Sequence, residues 1–129
     1  MTVAVVGSRN LTVRDLGQYL PAGVTQIVSG GAKGVDQCAR AYAQEKNIPL
    51  LECLPDYPKY GRAAPLRRNE EIVRSADLVL AFWDGRSRGT LYTIRFARKI
   101  GVGVRIFYPS AGFAQYDTDS AETPGVTLY

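Results

Sequence analysis

The sequence predicts an α/β fold, a single Rossmann-like domain in which a mostly parallel five-stranded sheet carries helices on both faces. First, the chain has 129 residues, 46% of them hydrophobic, which is enough for one domain with its own core. Second, short apolar runs alternate with segments of helical periodicity throughout residues 1–108. Third, the segments between the apolar runs are long enough for the right-handed crossovers that join parallel strands.

Five short apolar runs predict the strands. The runs are continuous rather than alternating and are rich in β-branched residues, as expected of parallel strands buried on both faces. The predicted strands cover residues 2–6, 26–29, 49–53, 78–82 and 102–108.

Four segments between these runs have the apolar spacing of helices. In the first, Leu16 and Leu20 lie four residues apart, with Thr12 as the expected N-cap and Pro21 near the end. The predicted helices cover residues 12–20, 35–46, 65–75 and 89–100. Residues 54–65 contain three prolines and are predicted to form a loop.

The last segment of the chain differs from the rest in charge and pattern. Residues 109–129 lack helical periodicity and contain three acidic residues and no basic one. We therefore expect one domain over residues 1–108, followed by a polar tail over residues 109–129. That tail is either disordered or an extended arm against the domain or a neighbouring subunit.

Composition excludes several classes of protein. No apolar run approaches the roughly 20 residues of a membrane span and no signal segment is present, so we expect a cytoplasmic protein without a membrane partner. Cys38 and Cys53 are too few for a disulfide framework and are expected to be reduced, buried thiols. The absence of histidine excludes Ser-His, Cys-His and His-ligated zinc mechanisms. We expect neither a metal nor another cofactor.

Positive charge is concentrated in the predicted domain. The net charge is +4, but residues 1–108 contain all 16 basic residues against 9 acidic ones. The densest basic segment comprises Lys59, Arg62, Arg67, Arg68, Arg74, Arg86 and Arg88. These side chains either form a solvated surface, with Arg67 and Arg68 paired to nearby acids, or bind a phosphate-bearing small molecule or a nucleic acid backbone.

The loops after the predicted strands contain the candidate ligand-binding residues. In open parallel sheets, ligands bind beyond the carboxyl ends of the strands, where helix N-termini present free N–H groups. The candidates after the first and second strands are Gly7, Ser8, Arg9, Gly30, Gly31, Lys33, Gly34 and Asp36. The glycine-rich part is either an anion-binding nest or a tight turn without a ligand, and Asp36 either binds a ribose hydroxyl or caps the helix.

Two further loops add candidates. Ser87, Gly89 and Thr90 lead into a helix and form a second possible phosphate or sugar site, while Arg68 and Asn69 open the helix before it. Trp83 is either a core or interface residue or a stacking platform for a base.

Taken together, these motifs resemble the SLOG superfamily, which joins the Smf/DprA DNA-processing proteins with the LOG cytokinin-activating phosphoribohydrolases. The resemblance covers about residues 3–108. It rests on Gly7-Ser8-Arg9, Ser29-Gly30-Gly31 with Gly34 and Asp36, Arg68-Asn69, Ala76-Asp77 and Gly89-Thr90. Pro55-Asp56-Tyr57, Lys59-Tyr60-Gly61 and the stretch Ala81-Phe82-Trp83-Asp84-Gly85 are most similar to its small YspA-like branch.

The resemblance implies a function in nucleotide binding, often by a homo-oligomer. Arg68 matches the arginine of the LOG enzymes, and Gly89 and Thr90 match their phosphate motif, whereas Thr93 stands where those enzymes have a glutamate. The leading hypothesis is therefore binding or sensing of a phosphorylated nucleotide or nucleotide-derived ligand. A second is LOG-like N-glycoside hydrolysis, with Arg68 and a relocated carboxylate, Asp84 or Asp36, as catalytic residues. A third is DprA-like binding of single-stranded DNA.

Overall fold

The computed structural model describes residues 1–108 and the backbone of residues 115–116. The strands are β1 (Thr2–Gly7), β2 (Gln26–Ser29), β3 (Leu50–Glu52), β4 (Leu78–Phe82), β5 (Gly103–Phe107) and β6 (Gln115–Tyr116). The helices are α1 (Val35–Lys46), α2 (Tyr57–Tyr60), α3 (Ala64–Arg74) and α4 (Arg88–Ile100).

The six strands form one sheet in the order β3-β2-β1-β4-β5-β6. All neighbours from β3 to β5 are parallel, and β6 pairs antiparallel with β5, with Tyr116 opposite Ile106. The predicted α/β class with a five-stranded parallel sheet is confirmed, and β6 adds a short antiparallel edge. The chain builds outward from β1 to β3 and then returns to the other side of β1. The carboxyl ends of β1 and β4 therefore flank the point where the strand order reverses.

Each face of the sheet has its own apolar cluster. Val3, Val5 and Leu80 face α1, whereas Val6 and Val79 face α3 and α4. Alternation along β1 distributes its side chains between the two clusters, because successive residues of a strand point to opposite faces. This burial on both sides explains why the strands are continuous apolar runs.

The predicted helix over residues 12–20 is wrong in extent. Only Leu16–Tyr19 is helical, as one 3₁₀ turn, and Thr12 is exposed and does not cap it. Asp15, which precedes the turn, has a φ of 50° in the left-handed region, and this conformation interrupts a continuous helix. Leu16 and Tyr19 nevertheless bury their side chains against the sheet, which accounts for the apolar spacing.

The predicted loop over residues 54–65 contains two short helical turns, α2 and a 3₁₀ turn at Gly61–Ala63. The Asp56 side chain accepts a hydrogen bond from the Lys59 amide at 3.1 Å, and Pro58 occupies the first turn of α2, where its missing N–H has no helical partner to lose. The prolines thus begin a helical turn rather than exclude one.

Three other predictions concern the cysteines, the membrane and the tail. Cys38 and Cys53 are free thiols, as expected, but both are half-buried rather than buried. In the part of the chain that the structure describes, no helix has the length and apolar character needed to cross a bilayer. The predictions for the tail fall on residues 109–129, which lie outside the described residues except for the β6 pairing.

Candidate functional site

A cavity of about 430 Å³ lies at the carboxyl ends of β1 and β4, where the strand order reverses. Its volume falls within the range of roughly 300–1,000 Å³ that is usual for small-molecule sites. The structure brings ten of the predicted site residues to its walls. They are Gly7, Ser8, Arg9, Asp36, Arg68, Asn69, Asp84, Ser87, Gly89 and Thr90.

The first loop joins β1 to β4 at the floor of the cavity. The Ser8 amide donates to the carbonyl oxygen of Phe82 at 3.0 Å, and the Ser8 hydroxyl accepts from the Asp84 amide at 3.2 Å. A side chain at Gly7 would come within 2.5 Å of that Phe82 carbonyl, so only glycine permits this approach. Arg9 follows Ser8 in the chain, also lines the cavity and is exposed at the cavity mouth.

Arg68 is a buried cation that lines the cavity. Its side chain is on α3 and the residue is only 9% exposed. One guanidinium nitrogen donates to the Gly30 carbonyl oxygen at 2.7 Å, and Nε donates to Asn69 Oδ1 at 2.8 Å. Across residues 1–108, no carboxylate forms an ion pair with Arg68, so the surface pairing considered for it is wrong. Arg67 does form that kind of pair, with Glu70 at 3.1 Å.

Asp36 approaches the same corner from α1. The residue is 8% exposed, and its carboxylate accepts from the Ala32 amide at 3.1 Å instead of capping the first turn of α1. Burial raises the pKa of the Asp36 carboxyl, and the Ala32 amide and the positive charge of Arg68 oppose that rise. A Cβ at Gly30 would lie 2.7 Å from Arg68 Nη1 and 3.0 Å from Asp36 Oδ2. Gly30 therefore leaves the space in which these two charged groups face each other.

The other predicted residues of the glycine-rich loop, Gly30, Gly31, Lys33 and Gly34, do not line the cavity. Gly31 and Gly34 have φ values of 71° and 72°, in the region that favours glycine. A side chain at Gly34 would collide with the backbone of Arg9, which shows that this glycine packs the second loop against the first. Lys33 is exposed. The structure thus places Gly30, Gly31, Lys33 and Gly34 behind or beside the cavity, where the glycines shape the loop.

The N-terminus of α4 forms another part of the wall, beside α3, where Asn69 Nδ2 donates to the Gly89 carbonyl oxygen at 3.4 Å. The Ser87 hydroxyl caps the helix by accepting from the Thr90 amide at 3.4 Å, and it lies 3.1 Å from the Thr90 hydroxyl. The first amides of a helix have no intrahelical partner and carry partial positive charge, which favours an anion. A Cβ at Gly89 would meet only Asn69 Nδ2, at 3.8 Å, so the space beside this turn is open.

The side chains of Trp83 and Asp84 hold the loop before α4 through hydrogen bonds to its backbone. Asp84 Oδ1 accepts from the amides of Arg86 and Ser87 at 2.8 and 2.7 Å. Partial burial raises the pKa of Asp84, but these two amides and the Ser8 hydroxyl outweigh it and leave that pKa below its usual value. Trp83 is 1% exposed and donates from Nε1 to the Ser87 carbonyl oxygen at 2.9 Å. The core alternative for Trp83 is confirmed, and its use as a stacking platform is excluded by burial.

Thr93 occupies the position of the LOG glutamate and does line the cavity. Its residue is 2% exposed, and its hydroxyl donates to the Gly89 carbonyl oxygen at 2.9 Å. A hydroxyl bonded within its own helix cannot supply the negative charge that stabilises an oxocarbenium-like transition state. No group of three or more His, Cys, Asp or Glu side chains suitable for a metal occurs within the described ranges.

Several lining residues were not predicted from the sequence. Asn10 and Ala32 flank predicted motifs, and Pro65 and Leu66 form an apolar wall just before Arg68, completed by Val6 and Ile72. Pro65 and Leu66 lie in the first turn of α3, and the rule that helix N-termini face the ligand does not say which residues of such a turn line the cavity.

The comparison with solved structures agrees with the fold. The structure is similar to that of DNA processing protein A (DprA) from Streptococcus pneumoniae, with a TM-score of 0.64 and 25% identity, over 81% of this chain and 49% of that chain. The chain therefore spans about half the length of DprA. This likeness supports the predicted superfamily, to which DprA belongs.

The comparison with curated sequences is more specific. No protein-family model matches the chain. The chain is 38% identical over 84 residues to the Gene 61 protein of Mycobacterium phage D29, a match that covers 60% of this chain and 67% of that protein. The chain belongs to the family of the Gene 61 protein.

Proposed function

We propose that this protein binds a phosphorylated nucleotide or nucleotide-derived ligand in the cavity between β1, β4 and α4, as a member of the YspA-like branch of its superfamily. The observation that supports this most is the state of Arg68. The residue is 9% exposed, lines the cavity and donates only to the neutral oxygens of Gly30 and Asn69 among its described hydrogen bonds.

Burial of a cation without an ion pair is costly, because the charge loses its hydration. An anionic ligand in the cavity would offset that cost. A phosphate suits the site, because guanidinium groups bind its oxygens through parallel hydrogen bonds and the α4 N-terminus in the cavity wall favours negative charge. Asp36, beside Arg68, is placed to accept a hydrogen bond from a sugar hydroxyl.

Thermal unfolding with a panel of nucleotides and nucleotide-sugars tests this proposal. A ligand at about 100 times its dissociation constant stabilises the native state by about 2.7 kcal/mol. We expect Arg68→Gln to lose the shift and Arg68→Lys, which keeps the charge without the planar fork, to retain part of it. Arg67→Gln is the matched control, because Arg67 is the next residue on the same helix but is exposed and paired with Glu70. The absence of a shift with every compound would contradict the proposal.

Binding of single-stranded DNA is the second candidate, because the solved structure that resembles this chain is a DNA processing protein. Five exposed cations lie in the segments that precede α3 and α4 or begin those helices, and DNA phosphates would be their partners. They are Lys59, Arg62, Arg67, Arg86 and Arg88. Homo-oligomer formation, which the resemblance also implies, stays a prediction.

A gel-shift titration with a single-stranded oligonucleotide across salt concentrations tests the second candidate. If all five cations contact phosphates, the plot of log affinity against log salt has a slope of about −3.5, and the double variant Lys59→Gln/Arg62→Gln reduces it by about 1.4. Lys46→Gln, at the far end of α1, is the control and leaves the slope unchanged. A salt-independent shift, or none, would contradict DNA binding.

A further inference from the structure

Three exposed apolar side chains lie close together in sequence beside the cavity. Leu54 is 65% exposed, Tyr57 55% and Leu66 38%. We call these three residues the apolar rim. Single exposed hydrophobic residues are ordinary on protein surfaces. These three are different because Leu66 lines the cavity, while Leu54 and Tyr57 belong to segments that contact its lining elements.

The first connection runs through α3. Leu66 itself lines the cavity together with Pro65, and these residues lie two and three positions before Arg68 on the same helix. The short helix α2, which begins at Tyr57, packs against α3. The exposed Tyr57 ring therefore belongs to a segment that contacts α3, and α3 lines the cavity.

The second connection runs through the loop after β2. A Cβ at Gly31 would lie 2.9 Å from Leu54 Cδ2, so the Leu54 side chain rests against this loop. The next residue, Ala32, lines the cavity. Leu54 and Leu66 thus approach the cavity from two elements, the loop after β3 and the start of α3.

The apolar rim lies beside the buried cation. Arg68 donates to the Gly30 carbonyl oxygen, and Leu54 lies against the next residue, Gly31. A ligand that meets both surfaces carries a phosphate and a flat, weakly hydrated ring. Aromatic side chains bind nucleobases through stacking, since every base has a π-face.

We infer that the apolar rim is the binding surface for the nucleobase of the ligand whose phosphate lies at Arg68. This inference rests on the proposed function. Tyr57 stacks on the base, while Leu54 and Leu66 cover its edge and shield it from water.

Isothermal titration with two ligands separates this inference from the proposed function. Ribose 5-phosphate has the phosphate and sugar only, whereas a nucleoside monophosphate adds the base. The double variant Leu54→Ser/Tyr57→Ala is expected to bind the nucleoside monophosphate about tenfold more weakly. Its affinity for ribose 5-phosphate is expected to stay within twofold of wild type. Tyr57→Phe is expected to keep the full affinity, because the ring and not the hydroxyl contacts the base.

Ile100→Ser is the matched control for removal of an exposed apolar side chain. Ile100 is 42% exposed and ends α4, about 15 Å along the helix from Thr90, which lines the cavity. We expect it to bind both ligands as wild type does. An unchanged nucleotide affinity in the double variant, or an equal loss for both ligands, would overturn the inference while the proposed function stands. Absence of binding of both ligands to the wild-type protein would overturn both.

Discussion

The guanidinium of Arg68 donates to the carbonyl oxygen of Gly30 at 2.7 Å, across 38 residues of sequence. This hydrogen bond joins α3 to the loop after β2, and it holds a buried positive charge at the cavity wall. The same bond explains why glycine is needed at position 30, since a larger residue would meet both Arg68 and Asp36.

Gly30→Ala is expected to weaken ligand binding by displacing Arg68. The new methyl group would lie 2.7 Å from Nη1, which is too close, so the guanidinium must move. The φ of Gly30 lies outside the left-handed region, so the backbone itself accepts alanine. We expect a loss of about 1–3 kcal/mol in the free energy of unfolding from the broken buried hydrogen bond, together with at least a tenfold loss of nucleotide affinity. Chemical denaturation and calorimetric titration measure the two effects. Wild-type affinity would show that the position of Arg68 is irrelevant to the ligand.

Gly89→Ala is expected to raise the free energy of unfolding and to lower the nucleotide affinity. Gly89 lies in the first turn of α4, its φ is not positive, and a methyl group there meets no atom closer than 3.8 Å. Alanine should therefore raise the free energy of unfolding by about 0.5–1 kcal/mol. The methyl group also occupies the open space beside the helix amides, so nucleotide affinity should fall. A variant that is more stable and binds as tightly as wild type would contradict the placement of the phosphate at this turn.

The raised pKa of Asp36 predicts a pH-dependent difference between wild type and Asp36→Asn. Because burial raises the pKa of Asp36 in the folded state, the folded protein binds more protons than the unfolded chain between the ordinary value of 3.8 and that higher pKa. Stability from this group is complete below pH 3.8 and is lost as the pH rises through the folded-state pKa. As the pH rises from 3.8 through the folded-state pKa, the free energy of unfolding of Asp36→Asn should therefore increase relative to that of wild type. Urea titrations at several pH values test this, and a difference that stays constant or falls with pH would refute it.

Tryptophan fluorescence is expected to show directly that the Trp83 side chain is buried, because Trp83 is the chain's one tryptophan. At 1% exposure, with Nε1 bonded to the Ser87 carbonyl oxygen, its fluorescence in the native state should be blue-shifted from that of the denatured protein and protected from iodide. Trp83→Phe removes this donor and leaves space beside the ring, so we expect a loss of about 1–3 kcal/mol in the free energy of unfolding. Native emission at the wavelength of free tryptophan would contradict the buried position.

Asp84 allows the hydrolytic alternative to be tested. Its Oδ1 accepts two backbone amides, so Asp84→Asn, which keeps an oxygen acceptor, should be less destabilised than Asp84→Ala. Asp84→Ala is expected to lose about 1–2 kcal/mol in the free energy of unfolding. Since Thr93 replaces the glutamate, we expect no release of free base from nucleoside monophosphates by wild type. Release that disappears in Asp84→Asn would instead establish this carboxylate as catalytic.

The sequence predicted the fold well where the local signal and the tertiary structure agree. The bounds of β2, α1 and β4 match their predictions, because each is a continuous apolar run or an amphipathic helix with clear ends. The prediction of a helix over residues 12–20 was wrong because a single residue in the left-handed conformation, Asp15, interrupts it. Apolar spacing does not reveal backbone conformation.

The site was predicted less completely, for a geometric reason. The rule that ligands bind at the carboxyl ends of parallel strands located Ser8, Asp84 and Thr90 at the cavity. It does not say which residues of a loop face inward, and so Lys33 was included although it is exposed. Leu66 was missed because an exposed leucine on a helix resembles any other surface residue until the neighbouring cavity is seen.

A crystal structure of the protein with a bound nucleoside monophosphate tests the central claim most directly. We predict that the phosphate lies within about 3 Å of both the Arg68 guanidinium and the backbone amides of the first turn of α4. A phosphate held by the exposed side chains of Lys59 and Arg62, with the cavity empty, would contradict the account.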